Sequence, residues 1–538
     1  MTKKNIVYAM IPFILSLGVV GGIFIGKKFS RVSISPELEK MLIMMDIIKN
    51  EYVDEINMDS LFDGSYTQLM SLLDPHSVYI PASELEAVND DLEGSFSGVG
   101  VSFQILNDTV NIVEIVTGGP SEKVGLQAGD KIIKVDGEDL TGKNATNENV
   151  FKKLRGPKDT EVTLTIARSS AAKPLTFKVT RGDVPQNSVA AQYILSEGIG
   201  YIKVGKFART TYEEFYKALQ SLQARGAEKF IVDLRGNSGG FMDQAILMVN
   251  EFLPAGRTIV YTKGRNSLND TYATSDGQGH FINNELVVLT DEFSASASEI
   301  FAGAIQDNDR GLVIGRRTFG KGLVQNQFPL PDNSAIRLTV ARYYTPSGRS
   351  IQKEYSRGDA GKYEMDLSQR YSHGEFYNID SIKLDKSKIF YTVNKREVYG
   401  GGGIMPDIFV PEDTTAVSSY YVNVSNSGLL QRYAYKITDQ YRAQLKNVKS
   451  IKEVLDIIPG DDTLLNGFVD FAEENGITPK WNMIRKSEKL ILRQLKSIIV
   501  RDAMGYGQFI QLFNQGDKTI EEALKALNEN RSPVNITP

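Results

Sequence analysis

Cysteine is missing from all 538 residues, so neither a disulfide nor a thiolate metal site can form. Histidine is nearly missing too. Only His76, His280 and His373 occur, none in a setting that suggests pairing with a serine, which removes the commonest base for a serine nucleophile. No His/carboxylate spacing suggests a metal, and no glycine-rich phosphate loop between a strand and a helix suggests a nucleotide, so neither metal nor cofactor is expected. A net charge of −5 with no basic stripe or basic-aromatic interleaving argues against nucleic acid as a partner.

Long apolar runs are scarce as well, with one exception. Ile6 to Ile25 is an uncharged stretch of 20 residues, preceded by Lys3 and Lys4 and followed by Lys27, Lys28 and Arg31. That length suits a spanning helix, and the short apolar core and small-residue cleavage site of a secretory leader are lacking, so an uncleaved signal anchor over 6–25 is expected. Basic residues on both sides leave its orientation open. A chain of this length exceeds what one core usually holds, so several domains are expected.

What is present is a serine cluster and a lysine. The run Asp291-Glu-Phe-Ser-Ala-Ser-Ala-Ser-Glu299 carries serines at 294, 296 and 298, and Lys321 follows in Phe319-Gly-Lys-Gly-Leu-Val-Gln325. A serine hydroxyl needs an adjacent base, and a lysine serves if burial lowers its pKa enough to leave a neutral amine. Glycines flank Lys321, and no carboxylate lies in sequence between Asp309 and Asp332. Glu285–Thr290 reads as a buried strand, 297–308 as a helix opening after serines suited to an N-cap, and 311–316 as a second strand. In such a unit the helix N-terminus and the carboxyl ends of both strands share one sheet edge, which brings the serines and Lys321 together although 296 and 321 are 25 residues apart. Small-residue alternation alone does not choose among the three serines.

A third strand, Phe230–Leu234, leads to the turn Arg235-Gly-Asn-Ser-Gly-Gly240 and a helix over 242–252 on the same edge. Backbone N–H groups of Gly239 and Gly240, with that of Ala297, are candidates for an oxyanion site; the plain alternatives are a phosphate-binding turn or a tight connection. Gln325, four residues past Lys321, can hold an amine without adding charge if Lys321 leads into a strand. The plain alternative is an exposed strand residue.

These residues resemble the carboxyl-terminal processing peptidases, or tail-specific proteases. The resemblance is collinear: Leu73-Asp-Pro-His-Ser-Val-Tyr79, Gly200-Tyr-Ile202, Asp233-Leu-Arg-Gly-Asn-Ser-Gly-Gly240, Ser294-Ala-Ser-Ala-Ser-Glu299, Thr318-Phe-Gly-Lys-Gly322, Tyr343-Tyr-Thr-Pro-Ser-Gly-Arg-Ser-Ile351 and Gly403-Ile-Met-Pro-Asp407. It implies a multi-domain α/β protein with a crotonase-like α/β peptidase core, with Ser296 as nucleophile, Lys321 as general base and Gln325 orienting the lysine. The family usually has Asn where Asp291 stands, and Glu292 adds a second carboxylate. Residues 93–183 resemble an inserted PDZ domain: Phe96-Ser-Gly-Val-Gly-Val101 looks like the carboxylate-binding loop, so Phe96, Gly98, Val99, Gly100 and Val101 are the candidate peptide-binding residues.

The expected organisation is thus a signal anchor at 6–25, a helical segment at 36–92, the PDZ domain at 93–183, the peptidase core at 184–412 and a helical extension at 413–538, with 357–396 as a polar insertion. Partners implied are substrates with free C-termini and the membrane, with homo-oligomerisation open. The resemblance puts the body in the cell envelope, on the periplasmic side. A catalytically silent PDZ scaffold is the alternative; an acyl-CoA enzyme on a related sheet is a third reading, disfavoured by the PDZ domain and anchor.

Overall fold

The computed structural model describes residues 35–533, apart from 107, 169 and 170 and the Asp91 side chain, so the apolar run 6–25 lies outside the described residues. No helix among the described residues is long and apolar enough to cross a membrane. The described residues divide between Leu69 and Met70 into two compact units. The first contains α1 (Pro36–Glu51), started by Ser35, whose hydroxyl accepts the Leu38 N–H, and most of α2 (Met58–Ser71).

In the second unit a short strand β1 (Val78–Ile80), which sequence reading placed within a helical stretch, precedes helix α3 (Ala82–Glu93). An antiparallel PDZ-type sheet follows, in spatial order β2 (Val101–Leu106), β3 (Thr109–Ile115), β4 (Lys131–Val135), β5 (Glu161–Ala167) and β6 (Leu175–Thr180), with α4 (Asn147–Leu154) between β4 and β5 in the chain. Its core is aliphatic, with Val110, Ile112, Ile132, Val150, Val162, Leu164 and Ile166 fully buried. Strand β5 shows why: Val162, Leu164 and Ile166 alternate inward, the period of two expected of a half-buried strand.

The central sheet is built from apolar, β-branched runs. Its spatial order is β7 (Val189–Ser196), β8 (Ile199–Val204), β9 (Lys229–Asp233), β11 (Glu285–Thr290), β12 (Leu312–Gly315) and β15 (Ile408–Phe409), parallel except for the β7/β8 pair. Helices α5 (Thr211–Ala224), α6 (Met242–Asn250) and α7 (Ala297–Asp307) bury Phe215, Met248, Phe301 and their neighbours against one face. A smaller sheet stands beside it, where β14 (Ala335–Tyr344) pairs with β1, β10 (Thr258–Gly264) and β13 (Leu323–Pro329). The insertion 357–396 contributes two short helices and one strand of a two-stranded hairpin.

The C-terminal region is helical as expected, but not all of it is an appendage. Helices α8 (Leu429–Gln440) and α9 (Trp481–Met504) build a separate core around Tyr433, Phe468, Leu495 and Ile499. Helices α10 (Tyr506–Phe513) and α11 (Lys518–Asn528) instead cover the second face of the central sheet, Ile520, Ala523 and Leu527 packing with Ile231, Val287 and Ile314. Tyr435 on α8 also donates to Asn111 of the PDZ sheet at 3.1 Å in a buried contact. The helical region therefore touches both other parts of this unit.

Candidate active site

Strands β9, β11 and β12 are parallel, so their carboxyl ends share one edge, where the Arg235–Gly240 turn, the serine cluster and the Lys321 loop all lie. Geometry separates the three serines. The Ser294 hydroxyl donates to the Leu234 carbonyl at 2.9 Å and the Ser298 hydroxyl to the Asn237 carbonyl at 2.8 Å, both fully buried. Ser296 is half-buried, its side chain takes no capping bond, and its backbone stands at φ 56°, ψ −113°, a region costly for a non-glycine residue. Ser296 thus stands on a sharp turn between β11 and α7.

Two groups hold Ser296 and Lys321 in register. The Glu299 carboxylate accepts the N–H of Ser296 (2.9 Å) and of Lys321 (2.8 Å) on one oxygen, and the Thr318 hydroxyl (2.5 Å) and Gly320 N–H (2.8 Å) on the other. On the carbonyl side, the Tyr343 hydroxyl donates to Lys321 O at 2.7 Å and shares that proton with Ser296 O at 3.1 Å. Glu299 and Tyr343 are both fully enclosed, and burial pushes the Glu299 carboxyl up to about 7 against the pull of its four donors. Burial, followed by Arg337, lowers the Lys321 amine below the ordinary lysine value, while Glu299 and Asp74 oppose this. No hydrogen bond joins Ser296 Oγ to Lys321 Nζ among the described residues.

Gln325 does not bond Lys321. A register shift between Val324 and Gln325 breaks the alternation of β13, and Gln325 donates to Thr339 Oγ1 at 3.3 Å, which donates to Asp74 at 2.9 Å. Asp74 also takes the His76 N–H and the Ser77 N–H and hydroxyl, making the Leu73–Tyr79 motif a shelf at the site. His76 lies near enough that Lys321 adds to burial in lowering its imidazole to about 4; its Nε2 is 2.9 Å from the Tyr363 hydroxyl.

At the oxyanion candidates, Gly239 lies against the Ser296 turn: a Cβ there would stand 2.7 Å from Ser296 Cβ and 2.9 Å from Ala297 N. Its own N–H, however, donates to Asn237 Oδ1 at 2.8 Å, which corrects the expectation that it supplies a free donor. The N–H groups of Gly240 and Ala297 are engaged by no other group among the described residues. Gly240 has φ 141°, and a Cβ on it would meet Phe207 O at 2.1 Å. Gly240→Ala is therefore expected to shift the turn, lowering stability by about 2 kcal/mol or more and removing most activity, as thermal unfolding and a cleavage assay would read.

The departure at Asp291 is absorbed structurally. Its carboxylate accepts the N–H of Gly236, Phe293 and Ser294 at 2.9 to 3.1 Å, stapling the Gly236 turn to the serine loop, while Glu292 pairs with Arg316 at 2.6 Å.

In the PDZ sheet, β2 pairs only with β3 and leaves its outer edge open. Phe96 lies on the strand Ser95–Gly98, which pairs with Gly182–Pro185, and the Arg155 guanidinium sits 4.4 Å above its ring. Gly98 bridges to Arg155, Val99 O accepts the Ser121 N–H (2.8 Å), Gly100 O accepts the Val116 N–H (3.1 Å), and Val101 opens β2. Arg155 also approaches Asp90 on α3 at 3.7 Å.

Peptidase family S41 matches residues 198–360, a PDZ domain model matches 112–168, and a family of unknown function matches 420–505. The chain is 37% identical over 310 residues to a carboxy-terminal-processing protease of Bartonella bacilliformis, covering 57% of this chain and 70% of that protein. It is 32% identical over 350 residues to the carboxy-terminal processing protease CtpA of Bacillus subtilis, covering 65% and 74%. Among solved structures, a photosystem II D1 C-terminal processing protease is 30% identical over 58% of this chain and 83% of that one, with a TM-score of 0.33. Fold, PDZ module and relatives together define a serine-type peptidase. More particularly, the chain belongs to the carboxy-terminal processing peptidase family.

Proposed function

We propose that this protein is a membrane-anchored endopeptidase that holds a substrate C-terminus in its PDZ domain and cleaves nearby through a Ser296/Lys321 dyad and an acyl-enzyme. The observation that carries this reading is the pinning of a strained, half-buried serine and a desolvated lysine by the same carboxylate and the same tyrosine. Neutral Lys321 takes the Ser296 proton as Oγ attacks the peptide carbonyl; the oxyanion lies toward the Gly240 and Ala297 N–H groups; the ammonium then protonates the leaving amine. Water releases the acyl group with Lys321 again as base. Gln325, bonded to Thr339 and through it to Asp74, acts on the lysine only through that relay and not by a direct bond. A substrate tail adds a strand to the open edge of β2 with its carboxylate at the Phe96–Val101 loop. The Ile6–Ile25 run serves as the anchor, with the body outside the cytoplasm.

Cleavage of a protein with an unstructured tail by the wild type, Ser296→Ala and Lys321→Ala tests the dyad. Each variant is expected to lose roughly a thousandfold or more in kcat, with an acyl adduct trapped at Ser296 in the wild type. Equal cleavage by all three overturns the assignment.

A further inference from the structure

The outer face of the small sheet carries a cationic ladder that the catalytic reading does not use. Strands β10 and β14 pair with Tyr261 opposite Tyr344, Thr262 opposite Tyr343 and Lys263 opposite Arg342. Thr262 and Tyr343 point inward and are buried, so the alternation puts Tyr261, Lys263, Arg342 and Tyr344 on the other face. Like charges directly across a strand pair repel and weaken the sheet. No carboxylate offsets them: Lys263, Arg265, Arg342, Arg357 and Lys362 are all exposed, and none has an ion pair among the described residues. Most other cations in this region do have one: Lys353 pairs with Asp366, Lys388 with Asp385, and Arg317 with Glu375. The carboxylates that line the groove are engaged by other groups, Asp74 by its four donors, Asp366 by Lys353, and Glu354 and Asp385 by Lys388.

This face is concave. Two cavities of about 570 and 950 Å³ share Arg342, Tyr344, Tyr355 and Arg357, the second reaching under the 357–396 insertion. The tyrosine pair Tyr261/Tyr344 forms a stacked floor with ring centroids 5.1 Å apart. In a chain whose net charge is −5, this cation ladder has no carboxylate partner among the described residues, and the Tyr261 ring, 5.9 Å from Lys263 Nζ, offsets only part of the repulsion. An anionic ligand would offset it.

We infer that this groove is an exosite for an acidic stretch of the substrate polypeptide. The inference rests on the peptidase reading above. A polypeptide is favoured over an anionic bilayer because the charges line a groove rather than a plane, and because β14 on its inner face carries Tyr343, which pins the catalytic pair. The groove runs up to Asp74 and Thr339 beside the site, but Lys263 and Arg342 bond neither of them, so the exosite acts on capture rather than on the chemical step and its effect falls on KM.

The test uses two substrates with the same tail and cleavage junction, one preceded by a Glu-rich tract and one by a Ser-rich tract. The wild type is expected to favour the Glu-rich substrate by about tenfold in kcat/KM, through KM, with the advantage fading as salt rises from about 20 to about 300 mM. Lys263→Gln/Arg342→Gln should remove that preference and leave the Ser-rich substrate unchanged. Fluorescence anisotropy of a Glu-rich peptide on Ser296→Ala protein reads the exosite without catalysis, so a silent dyad does not hide it. Equal KM values and equal binding of the two tracts overturn the inference. A preference surviving in the double variant does so too, as does binding of anionic phosphatidylglycerol vesicles, abolished by the double variant, without binding of the Glu-rich peptide.

Discussion

Glu299→Ala is expected to be the most damaging single substitution outside the dyad, lowering stability by about 3 to 5 kcal/mol and activity by roughly a hundredfold or more. The side chain is fully buried and accepts four hydrogen bonds from four different residues, so truncation strands the N–H groups of Ser296, Gly320 and Lys321 and the Thr318 hydroxyl together. Leaving one buried donor unpaired costs about 1–3 kcal/mol, and a methyl-sized remnant can replace none of the four bonds. The activity loss has a separate cause. Ser296 and Lys321 come from a helix cap and a loop 25 residues apart, and this carboxylate is what fixes both backbones, so a shift of about 1 Å is enough for the stated loss. Glu299→Gln keeps one oxygen for two donors and turns an NH2 group toward the other two. It should fall between the wild type and alanine in both readouts. Chemical denaturation and a tail-cleavage assay on the same samples check this, and Glu299→Ala within 1 kcal/mol of wild type at undiminished rate would refute the bridging role.

How much of this was legible follows from what each feature leaves in the sequence. Strands β9, β11 and β12 and helix α7 read clearly because short β-branched runs bounded by glycine and serine have few other ways to fold, and parallel topology then places their ends together. The serines before α7 read as N-cap residues, but the Ser-x-x-Glu spacing of 296 and 299, by which the carboxylate reaches back to the Ser296 N–H, was not drawn from the sequence. That the same side chain also spans to Lys321 depends on where a distant loop lands, which no local pattern encodes. Tyr343 was hidden for the same reason. Gln325 came from the resemblance, and the count along an ideal strand that accompanied it meets a register shift at Val324, which leaves the side chain on Thr339. Helix α11 shows a further limit: Ile520, Ala523 and Leu527 announce an apolar face, yet what that face covers is settled by the sheet and not by the helix.

The pH profile should carry the second large effect. Burial disfavours the charged form of Lys321, so its amine loses its proton below the usual lysine range, and only the neutral amine can accept the Ser296 proton. Below that point each pH unit upward raises the neutral fraction about tenfold, so kcat/KM is expected to climb with a slope of about one and level off before the pH at which an exposed lysine titrates, about 10.4. Glu299 adds curvature at the acid end. Its folded carboxyl sits at about 7, above the value of 4.5 for an unperturbed glutamate, so the folded state holds this proton more tightly than the unfolded one. Its contribution to stability is fully present below about 4.5 and is lost as pH rises through 7, whereas the charged form that best holds four donors is gained over the same interval. Activity should therefore fall more steeply than first order below pH 7 even though the fold grows no weaker there. In Glu299→Gln the profile should return to a single slope while the plateau drops. A wild-type profile flat from pH 6 to 9 would remove Lys321 as the base, and an unchanged acid limb in Glu299→Gln would detach that limb from the carboxylate.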